Sequence, residues 1–140
     1  LIEFKPSSKK TDIAEALQFL IGVIKKKSIA FILSDFISKS YEKTLKICAN
    51  KHDVTGIRIY DKMEEKVPNM GIVPMLDQET EEIKLIDTSS SVLREKYESF
   101  NLLNSQRFNK LFSKNGAGTL NCRTDQSYVK KLLNYFKTRG

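Results

Sequence analysis

The chain has 140 residues, of which 40% are hydrophobic and 29% are charged, and its formal net charge is +7. This length and composition predict a single folded domain over residues 1–140 with a sizeable core. No apolar run approaches the roughly 20 residues that a membrane-spanning helix requires, and the N-terminal residues lack the apolar segment of a secretory signal. We therefore predict a cytoplasmic chain without a membrane partner.

The positive charge is compatible with binding to nucleic acid, to an anionic surface or to an acidic protein, and it does not choose among them. The lysines are dispersed, since Lys25–Lys27 lie at the end of one predicted helix and Lys130–Lys131 lie within another. Lysines in these positions favour a solvated helix face. A nucleic-acid-binding module is therefore kept as the alternative function, and nucleic acid is not the favoured partner.

Helices and strands alternate along the first half of the chain. Apolar residues recur every three or four positions before Lys25, whereas Ile29–Ser34 is a continuous run of apolar and small residues, typical of a buried strand. This alternation predicts a parallel sheet with right-handed crossovers, and therefore an α/β fold. The predicted elements are a helix from Thr11 to about Lys27, the strand Ile29–Ser34, a helix from Ser40 to about Asn50 and the strand Val54–Tyr60.

The second half adds a hairpin, a long helix and a final strand–helix pair. Two short β-prone segments flank a polar turn and predict a β-hairpin outside the main sheet. Ser89–Ser91 offer caps for the long helix, which is expected to break near Asn101–Ser105. The predicted elements are the hairpin strands Gly71–Met75 and Glu82–Ile86, a helix from Val92 to about Lys114, the strand Thr119–Arg123, and a last helix with Val129, Leu132, Leu133 and Phe136 facing inward.

Asp35 is the first candidate site residue because it ends the strand that is expected to be most deeply buried. In open α/β sheets, ligands bind outside the carboxyl ends of the strands. The Asp35 carboxylate can bind a hard cation with oxygen ligands, or it can simply start a turn. Thr11 opens the preceding helix at the same rim of the sheet, where it can add a hydroxyl ligand or act as an N-cap.

The other polar residues give weaker signals. Asp87–Ser91 reads Asp-x-Ser-x-Ser, a metal-binding triplet in some folds, but its position between a hairpin strand and a helix favours capping. Cys48 and Cys122 lack a CxxC spacing and are interpreted as reduced core residues. His52, the single histidine, is interpreted as a surface or helix-end residue and forms no recognisable catalytic pair. We therefore predict a binding module and not an enzyme.

Six segments of the chain are informative when they are taken in order. They are Thr11–Leu20, Ser28–Phe36, Lys51–Asp61, Pro68–Gly71, Leu85–Ser90 and Thr124–Phe136. In this order they resemble the bacterial family known as domain of unknown function 58, and the resemblance covers nearly the whole chain beyond Lys10. It implies an incomplete von Willebrand factor A-like fold: a three-layer, mostly parallel sheet that carries the β-hairpin as an excursion.

Domains of this kind often bind a metal ion through an Asp-x-Ser-x-Ser loop, a Thr and an Asp. The resemblance implies that Thr11 and Asp35 are the Thr and the Asp of such a site. The Asp-x-Ser-x-Ser loop would lie before Thr11 and is not in this sequence, and Phe36 stands where a glycine is common. We therefore expect Mg²⁺ as a cofactor of the intact domain and none bound tightly by this chain alone.

The resemblance also implies a function and a partner. Family members resemble co-chaperone-like partners of MoxR-type AAA+ ATPases, so we predict a protein-binding module that acts in protein assembly or maturation. Because the sequence begins with Leu1 and lacks the early strands of the fold, we interpret it as the C-terminal part of a larger protein. The strand Ile29–Ser34 would then lack a neighbour, and its exposed edge predicts self-association.

Overall fold

Strands and helices alternate along the described chain, which comprises residues 12–38, 40–76 and 82–139 of a computed structural model. The order of the elements confirms the predicted α/β class. The elements are α1 (Ile13–Val23), β1 (Ile29–Ser34), α2 (Glu42–Lys51), β2 (Asp53–Tyr60), α3 (Lys62–Glu65), β3 (Ile72–Leu76), β4 (Ile83–Asp87), α4 (Ser91–Lys114), β5 (Gly118–Arg123) and α5 (Tyr128–Arg139).

The main sheet has three parallel strands in the order β1-β2-β5. Ile29 lies opposite Asp53, and Thr55 lies opposite Gly118. The predicted parallel pairing is therefore confirmed for these strands, and their carboxyl ends meet at one edge of the sheet. β3 and β4 form a separate antiparallel hairpin, which confirms the predicted excursion.

The hydrophobic core lies between one face of the main sheet and the helices α1, α2 and α4. Leu45, Cys48 and Phe112 have no exposed surface. Gly56 of β2 allows α4 to approach the sheet closely, since a Cβ atom there would lie 2.5 Å from a ring carbon of Phe112. Because protein interiors are close-packed, this contact fixes the distance between α4 and the sheet.

Helix α5 covers part of the opposite face of the sheet. The hydroxyl groups of Tyr135 and Thr55 lie 2.9 Å apart, and the ring of Phe136 packs edge-on against Phe31 with the centroids 5.9 Å apart. Among the described residues, β1 pairs with β2 and with no strand on its outer side. The prediction that β1 is the most deeply buried strand is wrong, because none of its residues is buried and Ile29 and Leu33 are 67% and 60% exposed. The buried strand is β2, which has neighbours on both sides. The unpaired apolar edge of β1 is a site where another chain can pair.

Two predicted helix starts are wrong in detail. Asp12 is the N-cap residue of α1, because its Oδ1 atom accepts a hydrogen bond from the Glu15 backbone N–H at 3.0 Å. The helix ends at Val23, about one turn before its predicted end near Lys27. Tyr41, and not Ser40, is the N-cap residue of α2, and its side chain makes no capping hydrogen bond. The backbone of Ser40 has a left-handed φ of 71°, whereas an N-cap residue is usually extended.

The two C-terminal helices also differ from the predictions. The predicted break near Asn101–Ser105 is wrong: helix α4 is continuous there, and the Asn101 side chain donates to the Tyr97 carbonyl of the preceding turn at 3.2 Å. Among the described residues, no helix, α4 included, is long and apolar enough to cross a membrane. The sheet is too narrow to bury the whole apolar side of α5, so three predicted inward residues are exposed by about half. They are Val129, Leu133 and Phe136.

Candidate functional site

Asp35 follows β1 at the edge where the carboxyl ends of the parallel strands meet. Its Oδ1 atom accepts hydrogen bonds from the Ser34 hydroxyl at 3.3 Å and from the Ile37 backbone N–H at 3.2 Å. The Ser34 hydroxyl oxygen in turn accepts the Phe36 N–H at 3.1 Å. The turn-forming role of Asp35 is therefore confirmed. Its side chain is exposed, so the carboxylate is also accessible from this edge.

Phe36 fixes the turn behind Asp35. Its φ of 57° lies in the left-handed region, where residues other than glycine are uncommon. Its side chain is only 4% exposed and packs among the aromatic rings of the core. Glycine would adopt this backbone conformation freely, so burial of the aromatic ring offsets the backbone strain in this chain.

Thr11, the other predicted metal ligand, lies outside the described residues. Within residues 12–38, 40–76 and 82–139, no group of three His, Cys, Asp or Glu side chains is arranged to hold a metal ion. Asp35 supplies one carboxylate, whereas a hard cation such as Mg²⁺ is held by several oxygen ligands. The assignment of Asp35 and Thr11 as Mg²⁺ ligands therefore stays a prediction.

The carboxyl ends of β2 and β5 carry a polar cluster that the sequence does not predict. Arg58, which is 4% exposed, donates from Nη2 to Glu64 Oε2 at 3.1 Å, and its guanidinium stacks 4.4 Å from the ring centroid of Tyr60. The Tyr60 hydroxyl donates to Glu65 Oε1 at 2.8 Å, and Arg123 Nη1 donates to Glu65 Oε2 at 2.6 Å. We call these five residues the rim cluster.

Hydrogen bonds within the rim cluster shift the acidity of its members. The Tyr60 hydroxyl and the Arg123 guanidinium lower the pKa of Glu65. Burial raises the pKa of Tyr60, and its hydrogen bond to Glu65 raises it further. Arg123 also donates to Asp125 Oδ1 at 2.7 Å, which lowers the pKa of that carboxyl group. The charges thus neutralise one another, and the rim cluster ties β2, β5 and α3 together.

The short helix α3 is positioned by a capping box. Asp61 Oδ1 accepts the Met63 N–H at 2.8 Å, and Glu64 Oε1 accepts the Asp61 N–H at 2.9 Å. The Thr124 hydroxyl donates to Asp61 Oδ2 at 3.1 Å, which joins α3 to the end of β5. An acidic residue followed by Glu three positions later is a signal of helix starts, so this element could have been found from the sequence.

The Asp-x-Ser-x-Ser pattern of Asp87–Ser91 is used within its own turn. Asp87 Oδ1 accepts hydrogen bonds from the N–H and the hydroxyl group of Ser89, and the hydroxyl contact lowers the pKa of Asp87 most strongly. The Ser90 hydroxyl oxygen accepts the Leu93 N–H at 3.4 Å and caps α4. The predicted capping role is therefore confirmed.

The cysteines and the histidine are buried. Cys48 and Cys122 are free thiols, which confirms their interpretation as reduced core residues. Burial raises the pKa of the Cys48 thiol, which disfavours its reactive thiolate form. His52 follows α2 at the helix end, as predicted, but it is 2% exposed and does not lie on the surface. Neither of its ring nitrogens has a hydrogen-bond partner among the described residues.

An apolar groove of about 650 Å³ lies between the hairpin, α3 and the N-terminal half of α4. All three methionines of the chain line it, together with an apolar stripe of α4. We call it the methionine groove. The sequence predicts the elements around it but not the groove itself, because its walls come from separate segments. Its principal lining residues are Met63, Met70, Met75, Leu93, Tyr97 and Phe100.

The chain matches one family model and several distant relatives. The model of the family described as "protein of unknown function DUF58" matches residues 1–107. The chain is 24% identical over 135 residues to the uncharacterized protein MAV169 of Mycobacterium avium. The matched region covers 96% of this chain and 79% of that protein. It is also 22% identical over 135 residues to two further uncharacterized proteins, Rv1480 of Mycobacterium tuberculosis and Mb1516 of Mycobacterium bovis. The match spans 42% of the length of each of these two proteins. No solved structure matches the chain.

Proposed function

Because the chain belongs to the DUF58 family, we propose that it is a non-catalytic protein-binding module and a partner of a MoxR-type AAA+ ATPase in protein assembly or maturation. The observation that carries the proposal is the apolar surface of the methionine groove, where Leu85 and Phe100 are exposed by 74% and 50%. Contiguous apolar surface is typical of protein–protein interaction sites. The mutual pairing of the ionisable side chains in the rim cluster supports a structural role for them and not a catalytic one.

The fold proposed for the domain is von Willebrand factor A-like, with further strands beyond those described. The parallel order β1-β2-β5, the helices on both faces and the hairpin outside the sheet support this assignment. In such a domain Asp35 and Thr11 would be two of the Mg²⁺ ligands. The exposed turn at the carboxyl end of β1 is where open α/β sheets bind their ligands.

The partner is tested by the binding of this chain to a purified MoxR-type ATPase of the same organism, measured by biolayer interferometry with ATP and with ADP. We expect saturable binding that Asp35→Ala weakens by about tenfold, the size of effect of one important interface residue. Glu42→Ala, which removes an exposed acidic side chain from α2, is the matched control and should leave binding unchanged. Absence of saturable binding in both nucleotide states would contradict the proposed partner.

Calorimetric titration with Mg²⁺ tests the metal separately. We expect at most weak binding by this chain, because its described residues supply too few oxygen ligands. Tight Mg²⁺ binding that Asp35→Ala leaves unchanged would remove Asp35 from the proposed site. A titration of Thr11→Ala gives the corresponding result for the second predicted ligand.

The net charge of +7 keeps nucleic-acid binding as the alternative function. Binding through dispersed lysines would be dominated by phosphate contacts and would fall steeply as the salt concentration rises. Failure to retard DNA or RNA in a gel at low salt would dispose of this alternative.

A further inference from the structure

A polar cleft of about 460 Å³ lies between β2, α3 and α4 at the carboxyl end of the main sheet. Its charged lining residues are Arg58 of β2, Glu64 and Glu65 of α3, and Glu95 and Glu98 of α4. Open α/β sheets bind their ligands at this edge, and a cleft of this volume can hold a small molecule. We call it the acidic cleft.

Two of the four carboxylates that line the acidic cleft are neutralised within the chain. Glu64 pairs with Arg58 at 3.1 Å, and Glu65 pairs with Arg123 at 2.6 Å. No ion pair among the described residues includes either of the two lining glutamates of α4. The acidic cleft therefore keeps two uncompensated negative charges, although the net charge of the chain is +7.

These two glutamates, Glu95 and Glu98, are neighbours on α4, because residues three positions apart lie on one face of a helix, where like charges repel each other. Glu95 is exposed, and Glu98 accepts the uncharged Val67 N–H at 3.0 Å. A bound cation would relieve their repulsion. Among the described residues no group of three acidic, His or Cys side chains is arranged to hold a metal ion. The pair is therefore suited to an ammonium group, which donates hydrogen bonds to several acceptors at once.

Arg58 indicates a second requirement, which is an acceptor oxygen in the ligand. Arg58 is 4% exposed and lines the cleft, yet Nη2, which donates to Glu64, is its only nitrogen with a hydrogen-bond partner among the described residues. A guanidinium has five N–H donors in one plane, and the stack on Tyr60 covers a face of that plane and uses none of them. Buried donors are normally paired, so the remaining N–H groups of Arg58 are available to a ligand oxygen.

The two requirements together select the class of ligand. A carboxylate alone would be repelled by the two uncompensated glutamates, and a cation alone would leave the N–H groups of Arg58 without an acceptor. An α-amino acid carries an ammonium group and a carboxylate on a single carbon atom. Uncharged polar side chains that can hydrogen-bond a polar ligand side chain also line the cleft. They are Ser99, Asn101 and Ser105.

We propose that the acidic cleft binds a free α-amino acid with an uncharged polar side chain. The ligand carboxylate accepts hydrogen bonds from Arg58, and the ligand ammonium group donates to Glu95 and Glu98. This inference goes beyond the proposed function, because it assigns a small-molecule ligand to a surface that is separate from Asp35 and from the methionine groove.

The probes are L-serine, L-threonine, L-asparagine and L-glutamine, titrated into the chain by calorimetry and by saturation-transfer NMR. At least one of them should bind saturably. The tightest is then compared with its N-acetyl derivative, which lacks the ammonium group, and with its α-amide, which lacks the carboxylate. Each derivative should bind about tenfold more weakly or less, because each loses one charged hydrogen-bonding group.

Two substitutions connect each ligand group to its own residue. Glu95→Gln, at an exposed position, should weaken the amino acid about tenfold and leave the N-acetyl derivative unchanged, since that derivative has no ammonium group. Arg58→Lys keeps the charge but loses the planar set of donors, so it should weaken the amino acid and leave the α-amide unchanged. Glu42→Gln, an exposed glutamate of α2 outside the cleft, is the matched control and should change nothing. Circular dichroism and thermal melting verify that each variant is folded, and Glu95→Gln decides the test if Arg58→Lys does not fold.

Other results would overturn the proposal. They are the absence of saturable binding for all four amino acids, and equal losses for Glu95→Gln and Glu42→Gln. Undiminished binding of the α-amide would identify a simple amine or a peptide N-terminus as the ligand, and undiminished binding of the N-acetyl derivative would identify a simple carboxylate or a peptide C-terminus. Tighter binding of spermidine than of any amino acid would identify a polyamine. Amino-acid binding by a chain that does not bind the MoxR-type ATPase would contradict the proposed partner and leave this inference standing.

Discussion

The ring of Phe36 stacks on the ring of Phe108 with the centroids 4.4 Å apart and the planes inclined by 30°, although the backbone of Phe36 is left-handed. This contact joins the turn at Asp35 directly to helix α4. The turn therefore takes its conformation from the core as well as from its own hydrogen bonds. A change at Phe36 should alter both the stability of the domain and the presentation of the Asp35 carboxylate.

Two substitutions at Phe36 distinguish the stabilising effect of its buried ring from the strain in its backbone. Phe36→Ala should lower the free energy of unfolding by about 3–5 kcal/mol, because a large buried side chain is removed. Phe36→Gly removes the same ring but relieves a left-handed strain of about 1–2 kcal/mol, so it should be the less destabilising of the two. Urea denaturation measures both variants. If Phe36→Ala is the more stable, the backbone strain at this position is negligible.

Two glycines give a matched pair of predictions. Gly56→Ala should destabilise the domain by about 1–3 kcal/mol through overpacking, because the new methyl group would meet the rings of Phe108 and Phe112. Gly22→Ala in α1 has no atom within 4 Å of the added Cβ, and it should be neutral or stabilise by up to about 1 kcal/mol through helix propensity. Chemical denaturation distinguishes the two, and equal effects would contradict the close approach of α4 to the sheet.

The rim cluster predicts a contribution to acid sensitivity from Glu65. Its pKa is lowered in the folded chain by Tyr60 and Arg123, so its stabilising effect is present above the unfolded-state pKa and is lost as the pH falls through the folded-state value. The loss therefore begins as the pH falls to the ordinary glutamate value of about 4.3 and is complete below the lowered pKa of the folded chain. Because the Glu65 side chain is 48% exposed, solvent screening limits the effect to less than about 1 kcal/mol.

Thermal melts of the chain and of Glu65→Gln across this pH range measure that contribution. The variant should lose less stability than the unmodified chain as the pH falls below about 4.3. Glu95→Gln on α4, outside the rim cluster, controls for the general effect of removing one carboxylate. Parallel stability curves for the unmodified chain and Glu65→Gln would show that the cluster contributes nothing to folding in this range.

Substitution of the buried His52 should not lower the stability as core substitutions usually do. Its ring is buried and neither nitrogen has a hydrogen-bond partner among the described residues. Replacing a buried, unpaired polar group by an apolar one of similar size removes a desolvation cost of about 1–3 kcal/mol. His52→Leu should therefore leave the melting temperature unchanged or raise it. A loss as large as that of an ordinary core truncation would indicate that His52 has a polar partner in solution.

The edge of β1 predicts self-association. Ile29 and Leu33 are 67% and 60% exposed beside an edge that no described strand covers, and a lysine on such an edge opposes pairing with another chain. Sedimentation velocity should show oligomers that form as the concentration rises and that Leu33→Lys suppresses. Ile47→Lys, at a 56% exposed residue of α2, should leave them in place. A strictly monomeric chain would count against association through β1.

Features that depend on neighbouring residues were predictable from the sequence. The run Ile29–Ser34 and the turn at Asp35, the hairpin and the cap at Ser90 all follow from local composition and spacing. The rim cluster was not predictable, because Arg123 and Glu65 lie 58 positions apart in the chain. The methionine groove was missed for a related reason, since the spacing of apolar residues in α4 does not reveal where the sheet stops covering that helix.

Helix α4 carries its two sets of apolar side chains on successive turns of one uninterrupted helix of 24 residues, about 36 Å long. The residues that face the groove and those that fill the core are therefore distinct, and either set can be substituted without replacing the other. Substitutions along the groove can therefore change that surface while the packing against the sheet is preserved. One helix thus separates the residues that shape an open surface from those that hold the fold together.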